Sequence, residues 1–410
     1  MKALILAAGR GTRVRPLTDL LPKPMIPIIN KPVMAFLVEH LKRFGIDRIM
    51  VNTSYLSAQI EHYFRDGTGF GVEMAYSFEG RLEDNRLIDE PLGSAGAIRK
   101  IHNHSGFFDE TFIVLCGDAL IDLDIGELLE FHRRKGALAT IALLDVPRED
   151  VSSYGVVVRD ENGRITEFQE KPRPEEAKSS TINTGIYIFE PEVLRHIPET
   201  GAFDIGSQLF PALAKAGKLY GLVASMPWQW LDIGQVPDFH SVTMKAMQGG
   251  IDGFSLPGRQ VRPGVWMGLN VRANLDRCLV VPPAYIGGSA EIQDGATLIG
   301  PVAIGNGAVI EAGAHVESSI VMDYTRVGSQ TYCRNKILGG AFCVDADGTV
   351  LDVRHTDTSW LFQDARTEAA TLNPIQANVL ADIQHFTGPQ TTLDLAAGAD
   401  KPAGCQLATA

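Results

Sequence analysis

Leu6-Ala7-Ala8-Gly9-Arg10-Gly11-Thr12-Arg13, followed by Pro16-Leu17-Thr18 and Pro22-Lys23-Pro24, closes the first apolar run of the chain, Ala3–Ala8. A continuous apolar run that stops at glycines reads as a buried strand handing over to a loop. Gly9 and Gly11 permit a turn whose backbone N–H groups come close to phosphate oxygens, and Thr12 adds a hydroxyl donor. Arg13 and Lys23 bring fixed positive charge. The segment has no Gly-Lys-Ser/Thr in register and lacks the third glycine of the dinucleotide fingerprint, so it is neither of those phosphate loops.

Outward from this strand, the first 245 or so residues alternate strand-like and helix-like patterns. Val33, Leu37, Leu41 and Phe44 form one helical stripe, Gly45 sits at a helix C-terminus, and Ile46–Asn52 reads as the next strand. Thr111–Cys116 is another apolar strand, ending in Gly117-Asp118. Ile125–Arg134 then reads as a helix and Ala137–Val146 as a strand. Gly155–Val158 and Ile165–Phe168 flank the turn signal Asn162-Gly163 and predict a hairpin. The βαβ rhythm predicts an α/β domain over residues 1–245, a doubly wound, mostly parallel sheet covered on both faces. A carboxylate just beyond a strand, as at Asp118, lies where open α/β sheets bind ligands.

After about Gly264 the grammar changes. Apolar residues recur every six positions at Ile286, Ile292, Leu298, Ile304, Ile310 and Val316, and smaller ones at Ala290, Ala296, Val302, Ala308 and Ala314. Two interleaved registers of one period, with turn residues between them, predict a hexapeptide-repeat parallel β-helix over residues 264–370. The pattern fades near Met322–Val327, which predicts a few irregular coils. Asp345-Ala346-Asp347-Gly348 between Phe342–Val344 and Val350–Val353 predicts a capping hairpin, and residues 385–410 a loosely ordered tail.

Composition excludes several classes. In 410 residues, 45% hydrophobic and 21% charged, the net charge of −12 opposes binding to nucleic acid or to an anionic membrane. Cys116, Cys278, Cys333, Cys343 and Cys405 are scattered and never spaced as C-x-x-C, which points to neither a disulfide framework nor a structural zinc site. The first apolar run is too short for a signal peptide or a membrane span, so a cytoplasmic protein is expected. His102 and His104 lack carboxylate or cysteine partners nearby and read as a solvated loop. Trp228 and Trp230 read as packing at a sheet edge rather than as base-stacking groups.

The string from Leu6 to Pro24 resembles the signature of the sugar nucleotidyltransferase superfamily almost residue for residue. The resemblance continues in order through Glu90-Pro91-Leu92-Gly93-Ser94-Ala95-Gly96, Gly117-Asp118, Glu170-Lys171-Pro172, Asn183-Thr184-Gly185 and Trp230-Leu231-Asp232-Ile233-Gly234. With Tyr154–Val158 and Asp232-Ile233-Gly234-Gln235, it looks most like GDP-mannose pyrophosphorylase, a family that also carries a left-handed β-helix. The resemblance implies transfer of a nucleotidyl group from an NTP to a sugar 1-phosphate, with GTP and mannose 1-phosphate the preferred pair and a glucose-1-phosphate uridylyl-, thymidylyl- or adenylyltransferase the alternative.

By the same resemblance Arg13, Lys23 and Asp118 are catalytic, and Asp118 and Asp232 hold one Mg²⁺, with helix capping the competing reading of each aspartate. Leu6, Ala8, Gly9, Gly11, Thr12 and Gly117 join Arg13 and Lys23 around the nucleotide. Glu90 and Gly93 close over the base, with Gly96 beside them. Glu170, Lys171, Asn183 and Thr184 take the sugar phosphate. One departure concerns the base: where the family carries several acidic residues before Pro-Leu-Gly, this chain has Leu87-Ile88-Asp89-Glu90, leaving Asp89 and Glu90 as the available carboxylates. A homo-oligomer assembled through the β-helix is expected. A silent regulatory paralogue is disfavoured by the intact charged residues. An acyltransferase β-helix is disfavoured because its coils offer only His315.

Overall fold

The computed structural model describes residues 1–83, 86–351, 361–367 and 393–394. The chain parts into two compact units, one of Met1–Ile26 and Lys31–Asp232, the other of Pro27–Asn30 and Ile233–Ala410.

In the first unit β1 (Lys2–Ala7), α1 (Val33–Arg43), β2 (Arg48–Thr53), α2 (Ser57–Phe64) and β3 (Glu73–Phe78) follow the expected rhythm. A small hairpin, β4 (Gly80–Glu83) and β5 (Arg86–Asp89), precedes α3 (Gly93–Ser105). Next come β6 (Phe112–Cys116), β7 (Ala119–Ile121), α4 (Ile125–Lys135), β8 (Ala139–Asp145), β9 (Gly155–Arg159), β10 (Ile165–Glu170) and β11 (Thr181–Phe189). The unit closes with α5 (Phe210–Lys215), β12 (Leu219–Val223) and β13 (Trp230–Asp232).

Strands β10, β9, β11, β6, β1, β2 and β3 lie side by side in that order, with β8 pairing β11 and β12. β1 is parallel to both β2 and β6, whereas β11 runs antiparallel to β6. Alternate residues of each strand serve opposite faces. Ile5, Val51 and Leu115 pack beneath Leu37, Leu41, Ile60 and Leu128, while Leu4, Val114 and Ile141 pack against Ile98, Ile101 and Phe210. The sheet is therefore doubly wound, and its central strands read as unbroken apolar runs because neither face meets water.

Local signals behave as their chemistry dictates. Gly45, at φ 71°, ends α1 with its N–H on Lys42 O, while Ile46 N–H returns to Leu41 O. The β9–β10 hairpin turns where Asp160 Oδ1 accepts the N–H groups of Asn162 and Arg164.

The second unit stacks parallel strands into three sheets. Ala284 stands opposite Val302, Ile292 opposite Ile310 and Leu298 opposite Val316, each three hexads on. This is a parallel β-helix, with both hexad registers buried inside it. The expected irregular coils do not follow. Ile304 faces Val321, Ile310 faces Val327 and Val316 faces Cys333, one residue short of three hexads, and the stack continues with Val321 opposite Leu338, short by one again. The first missing residue is taken out at the Ser318–Ser319 corner, where Ser319 Oγ bonds Glu317 O and receives Lys336 N–H.

Antiparallel strands close both ends of one stack: Arg259–Arg262 at the start, and Phe342–Asp345 with Val350–Leu351 at the finish. Such closures blunt exposed strand edges. Helix α6 (Val236–Met247), absent from the sequence reading, belongs to the second unit and rests on Val302–Ile304. The tail of residues 385–410 lies outside the described residues apart from 393–394.

Ala296 is fully buried in the small-residue register, in line with Ala314 of the next coil. Ala296→Leu is expected to destabilise the β-helix by about 1–3 kcal/mol through overpacking. An unchanged urea midpoint would show that the column has room to spare.

Candidate functional site

The site forms in the first unit, where β1 and β6 end side by side. Beyond β1 the chain turns through Gly11, at φ 61°, into three short 3₁₀ turns, Thr12–Val14, Leu17–Asp19 and Lys23–Met25. A Cβ on Gly11 would lie 2.9 Å from Thr18 Cγ2 and 3.1 Å from Lys23 Cβ, so glycine is required both by conformation and by space. Thr18 Oγ1 donates to Gly11 O at 2.9 Å and fixes the turn. A Cβ on Gly9, by contrast, would meet no atom within 4 Å, so the outer side of that residue is open. Thr12 and Arg13 are exposed on the same loop.

Gly117 follows β6 and donates its N–H to Leu6 O at 3.0 Å. A Cβ there would press Ile5 and Leu6 O, both at 3.1 Å, so this glycine serves the approach of two strands. Asp118 comes next, and β7 then pairs antiparallel with β13, setting Ala119 opposite Asp232. That pairing brings together two aspartates from distant parts of the sequence. Lys23 Nζ makes an ion pair and hydrogen bond with Asp118 Oδ2 and lies 3.9 Å from Asp232 Oδ1. Burial works against the Lys23 charge, but attraction to Asp118 and then Asp232 outweighs it and raises its pKa, with Arg13 opposing.

The N-caps of α4 and α6 are Asp124 and Gln235. Asp124 caps α4, accepting the N–H groups of Gly126 and Glu127, and Asp238 accepts Gln235 N–H at the start of α6. Two partly exposed carboxylates, already balanced by one cation, fit Mg²⁺, which takes few carboxylates and completes its shell with water and substrate oxygens. Among the described residues no group of three or more His, Cys, Asp or Glu side chains could hold a metal without such help.

At the far end of the site, Lys171 has a positive φ of 46° and lies 3.5 Å from Glu170. Asn183 donates to the Tyr187 hydroxyl at 3.1 Å and accepts Gly185 N–H at 3.0 Å. Thr184 is a correction. Side chains alternate along β11, so its hydroxyl is buried and bonded to Ala142 O at 2.8 Å, where it cannot reach a ligand on the Asn183 side.

Gly93 and Gly96 also differ from expectation. They close on the protein's own Phe203, whose carbonyl receives Ala95 N–H and Gly96 N–H at 2.9 and 2.8 Å. A Cβ on Gly93 would lie 2.7 Å from that oxygen. The two candidate base-reading carboxylates have partners: Asp89 pairs with Arg10 at 3.0 Å and Glu90 with Arg81 at 3.7 Å.

Sequence reasoning missed Ser94 and Asp204, which join the start of α3 to the segment before α5. Ser94 Oγ donates to Asp204 Oδ2 and accepts Ile205 N–H, both at 2.8 Å. Ser94 lies within the Glu90–Gly96 string, but no periodic or spacing signal links it to the distant Asp204. Trp230 packs edge-on against Tyr154, with ring centroids 5.2 Å apart, beside Val156 and Ile182, and Trp228 packs against the core. His102 and His104 lie on the last turn of α3 rather than in a loop.

A family model described as nucleotidyl transferase matches residues 2–249. Over 369 residues the chain is 52% identical to a UTP–glucose-1-phosphate uridylyltransferase of Synechocystis sp., covering 90% of this chain and 95% of that relative. A mannose-1-phosphate guanylyltransferase of Mycobacterium tuberculosis is 32% identical over 327 residues, covering 79% of this chain and 80% of that one. Among solved structures, a putative glucose-1-phosphate thymidylyltransferase from Bacillus anthracis superposes with a TM-score of 0.52 at 26% identity, over 63% of this chain and 98% of that one. No helix among the described residues is long and apolar enough to cross a membrane.

Proposed function

Because the chain belongs to the nucleotidyl transferase family, whose sugar-1-phosphate members it resembles along most of its length, we propose that it joins UTP to glucose 1-phosphate, forming UDP-glucose and pyrophosphate. The observation that carries this choice is the 52% identity, spanning 90% of the chain, to a relative bearing that activity in its name. It favours the uridylyl alternative over the guanylyl pair expected from motifs alone. Guanine offers N1–H and N2–H₂ donors that call for acceptors. The two carboxylates nearest that role, Asp89 and Glu90, already pair with Arg10 and Arg81, and Ile88 stands where an acid would be needed.

In this reading an oxygen of the sugar phosphate attacks the α-phosphorus of the nucleotide as the bond to pyrophosphate breaks. The catalytic demand is to bring two anions together and to stabilise charge on the leaving group. Arg13 would face the triphosphate and the departing pyrophosphate. Lys23 would steady the α-phosphate region, where the two aspartates keep it charged. Lys171 would bind the sugar phosphate, with Glu170 and Asn183 on the sugar hydroxyls. The backbone of Ala8, Gly9, Gly11 and Thr12 would border the phosphates. Asp118 and Asp232 would hold Mg²⁺, which supplies charge neutralisation at the α-phosphate when bound.

The test is a panel of UTP, GTP, dTTP and ATP against glucose and mannose 1-phosphates, read by pyrophosphate release. UTP with glucose 1-phosphate is expected to give the highest kcat/KM, by about tenfold or more, since unmatched polar groups in a binding pocket cost about 1–3 kcal/mol. A higher kcat/KM for GTP with mannose 1-phosphate would overturn the substrate assignment.

A further inference from the structure

Between Glu79 and Glu90 the chain leaves the large sheet, forms the β4–β5 hairpin and returns to its starting point. Glu90 N–H donates to Glu79 O at 3.2 Å and closes the neck. The register sets Gly80 opposite Asp89 and Arg81 opposite Ile88. A Cβ on Gly80 would lie 2.2 Å from Ile88 O, so the neck is drawn as tight as glycine allows.

The neck is also anchored beneath. Glu79 is buried, its Oε1 accepting Asn52 Nδ2 at 2.6 Å and its Oε2 accepting Leu92 N–H at 3.3 Å. Lys100 Nζ donates to Phe78 O at 2.7 Å and Gly80 O at 3.4 Å. The base of the hairpin is thereby fixed, and Asp89, opposite Gly80, belongs to that base.

Asp89 Oδ2 meets Arg10 Nη2 at 3.0 Å. Arg10 sits between Gly9 and Gly11, in the loop whose glycines lose more backbone freedom on ordering than any other residue. From within the unit that loop is tied by Thr18, whose Oγ1 bonds Gly11 O and whose own carbonyl receives the Tyr55 hydroxyl at 2.9 Å. The Arg10 guanidinium lies 5.9 Å from the Tyr55 ring centre. On the open side, Asp89 supplies the tie.

We infer that the β4–β5 hairpin is a strut for the glycine-rich loop, with Asp89 and Arg10 as positioning residues that hold the loop ready for the nucleotide triphosphate. This rests on the proposed nucleotidyl transfer for the identity of the ligand. A strut of this kind affects the nucleotide and leaves the sugar phosphate alone, because among the described residues the side-chain partners of Arg10 and Asp89 are one another and Tyr55, not Glu170, Lys171 or Asn183.

The test is the dissociation constant of MgUTP for the full-length chain, measured by calorimetry, together with the KM for glucose 1-phosphate. Asp89→Asn is expected to weaken MgUTP binding about three- to fivefold, the upper range for a solvent-facing ion pair, with the sugar-phosphate KM changed less than twofold. The charge swap Arg10→Asp with Asp89→Arg is expected to restore MgUTP binding to within twofold of wild type. Unchanged binding in Asp89→Asn, or failure of the swap to restore it, would overturn the strut while leaving a successful pyrophosphate-release assay and the proposed function intact. A wild-type chain that binds none of the four nucleotides would overturn both.

Discussion

Asp118→Ala is expected to lower kcat by about 10²–10³ or more, with the fold intact and a smaller change in KM. Asp118 follows β6 directly and is brought to Asp232 by the β7–β13 pairing, so its carboxylate sits on a backbone fixed from two directions. Charge placed in advance at the transferring phosphoryl group acts mainly in the transition state, so the loss belongs in kcat. Arg13→Ala is expected to fall in the same range, because Arg13 stands on the open loop where the leaving group would lie. Near wild-type turnover of Asp118→Ala at saturating Mg²⁺ would remove Asp118 from the catalytic apparatus. A loss confined to KM would recast it as a binding residue.

Lys23→Ala is expected to be nearly as damaging to turnover, at about 10²-fold, and to carry a second signature in stability. Removing Lys23 leaves Asp118 and Asp232 facing one another with side-chain exposures of only 22% and 17%. Breaking a buried pair costs about 3–5 kcal/mol, and partial exposure here lowers the expectation to about 1–3 kcal/mol. Mg²⁺ held by the two aspartates would offset that repulsion in the folded variant, so its melting temperature is expected to rise with millimolar Mg²⁺ by more than that of wild type. Thermal unfolding with and without the ion checks this. Equal shifts in the two proteins would mean that the aspartates do not share one cation site.

The parts of this molecule that were legible in its sequence are those governed by local rules. The apolar runs of β1 and β6, the helical stripe of α1 and the Asn162-Gly163 turn each carry their signal within a few residues. The hexads are stronger still, because a repeated coil repeats its chemistry. What was not legible depends on which distant partner a residue meets. Thr184 sits inside a recognisable motif, yet strand alternation turns it to the opposite face from Asn183. Gly93 and Gly96 are expected to close over the base, but the close approach there is made by Phe203. Asp89 and Glu90 were visible as carboxylates, and only the folded hairpin shows them engaged with Arg10 and Arg81.

The Ser318–Ser319 corner resembles a frameshift that the fold has learned to read through. One residue is lost there, the next three apolar positions move back by one, and yet Val321, Val327 and Cys333 still point inward. Within a strand the same loss would turn the inward set to water. At a corner it changes only how sharply the chain bends. Length variation in such a stack is therefore sorted by place, with corners free to gain or lose residues and strands not. A periodicity search with a fixed frame ends at Val316, although the coils themselves continue past Cys333.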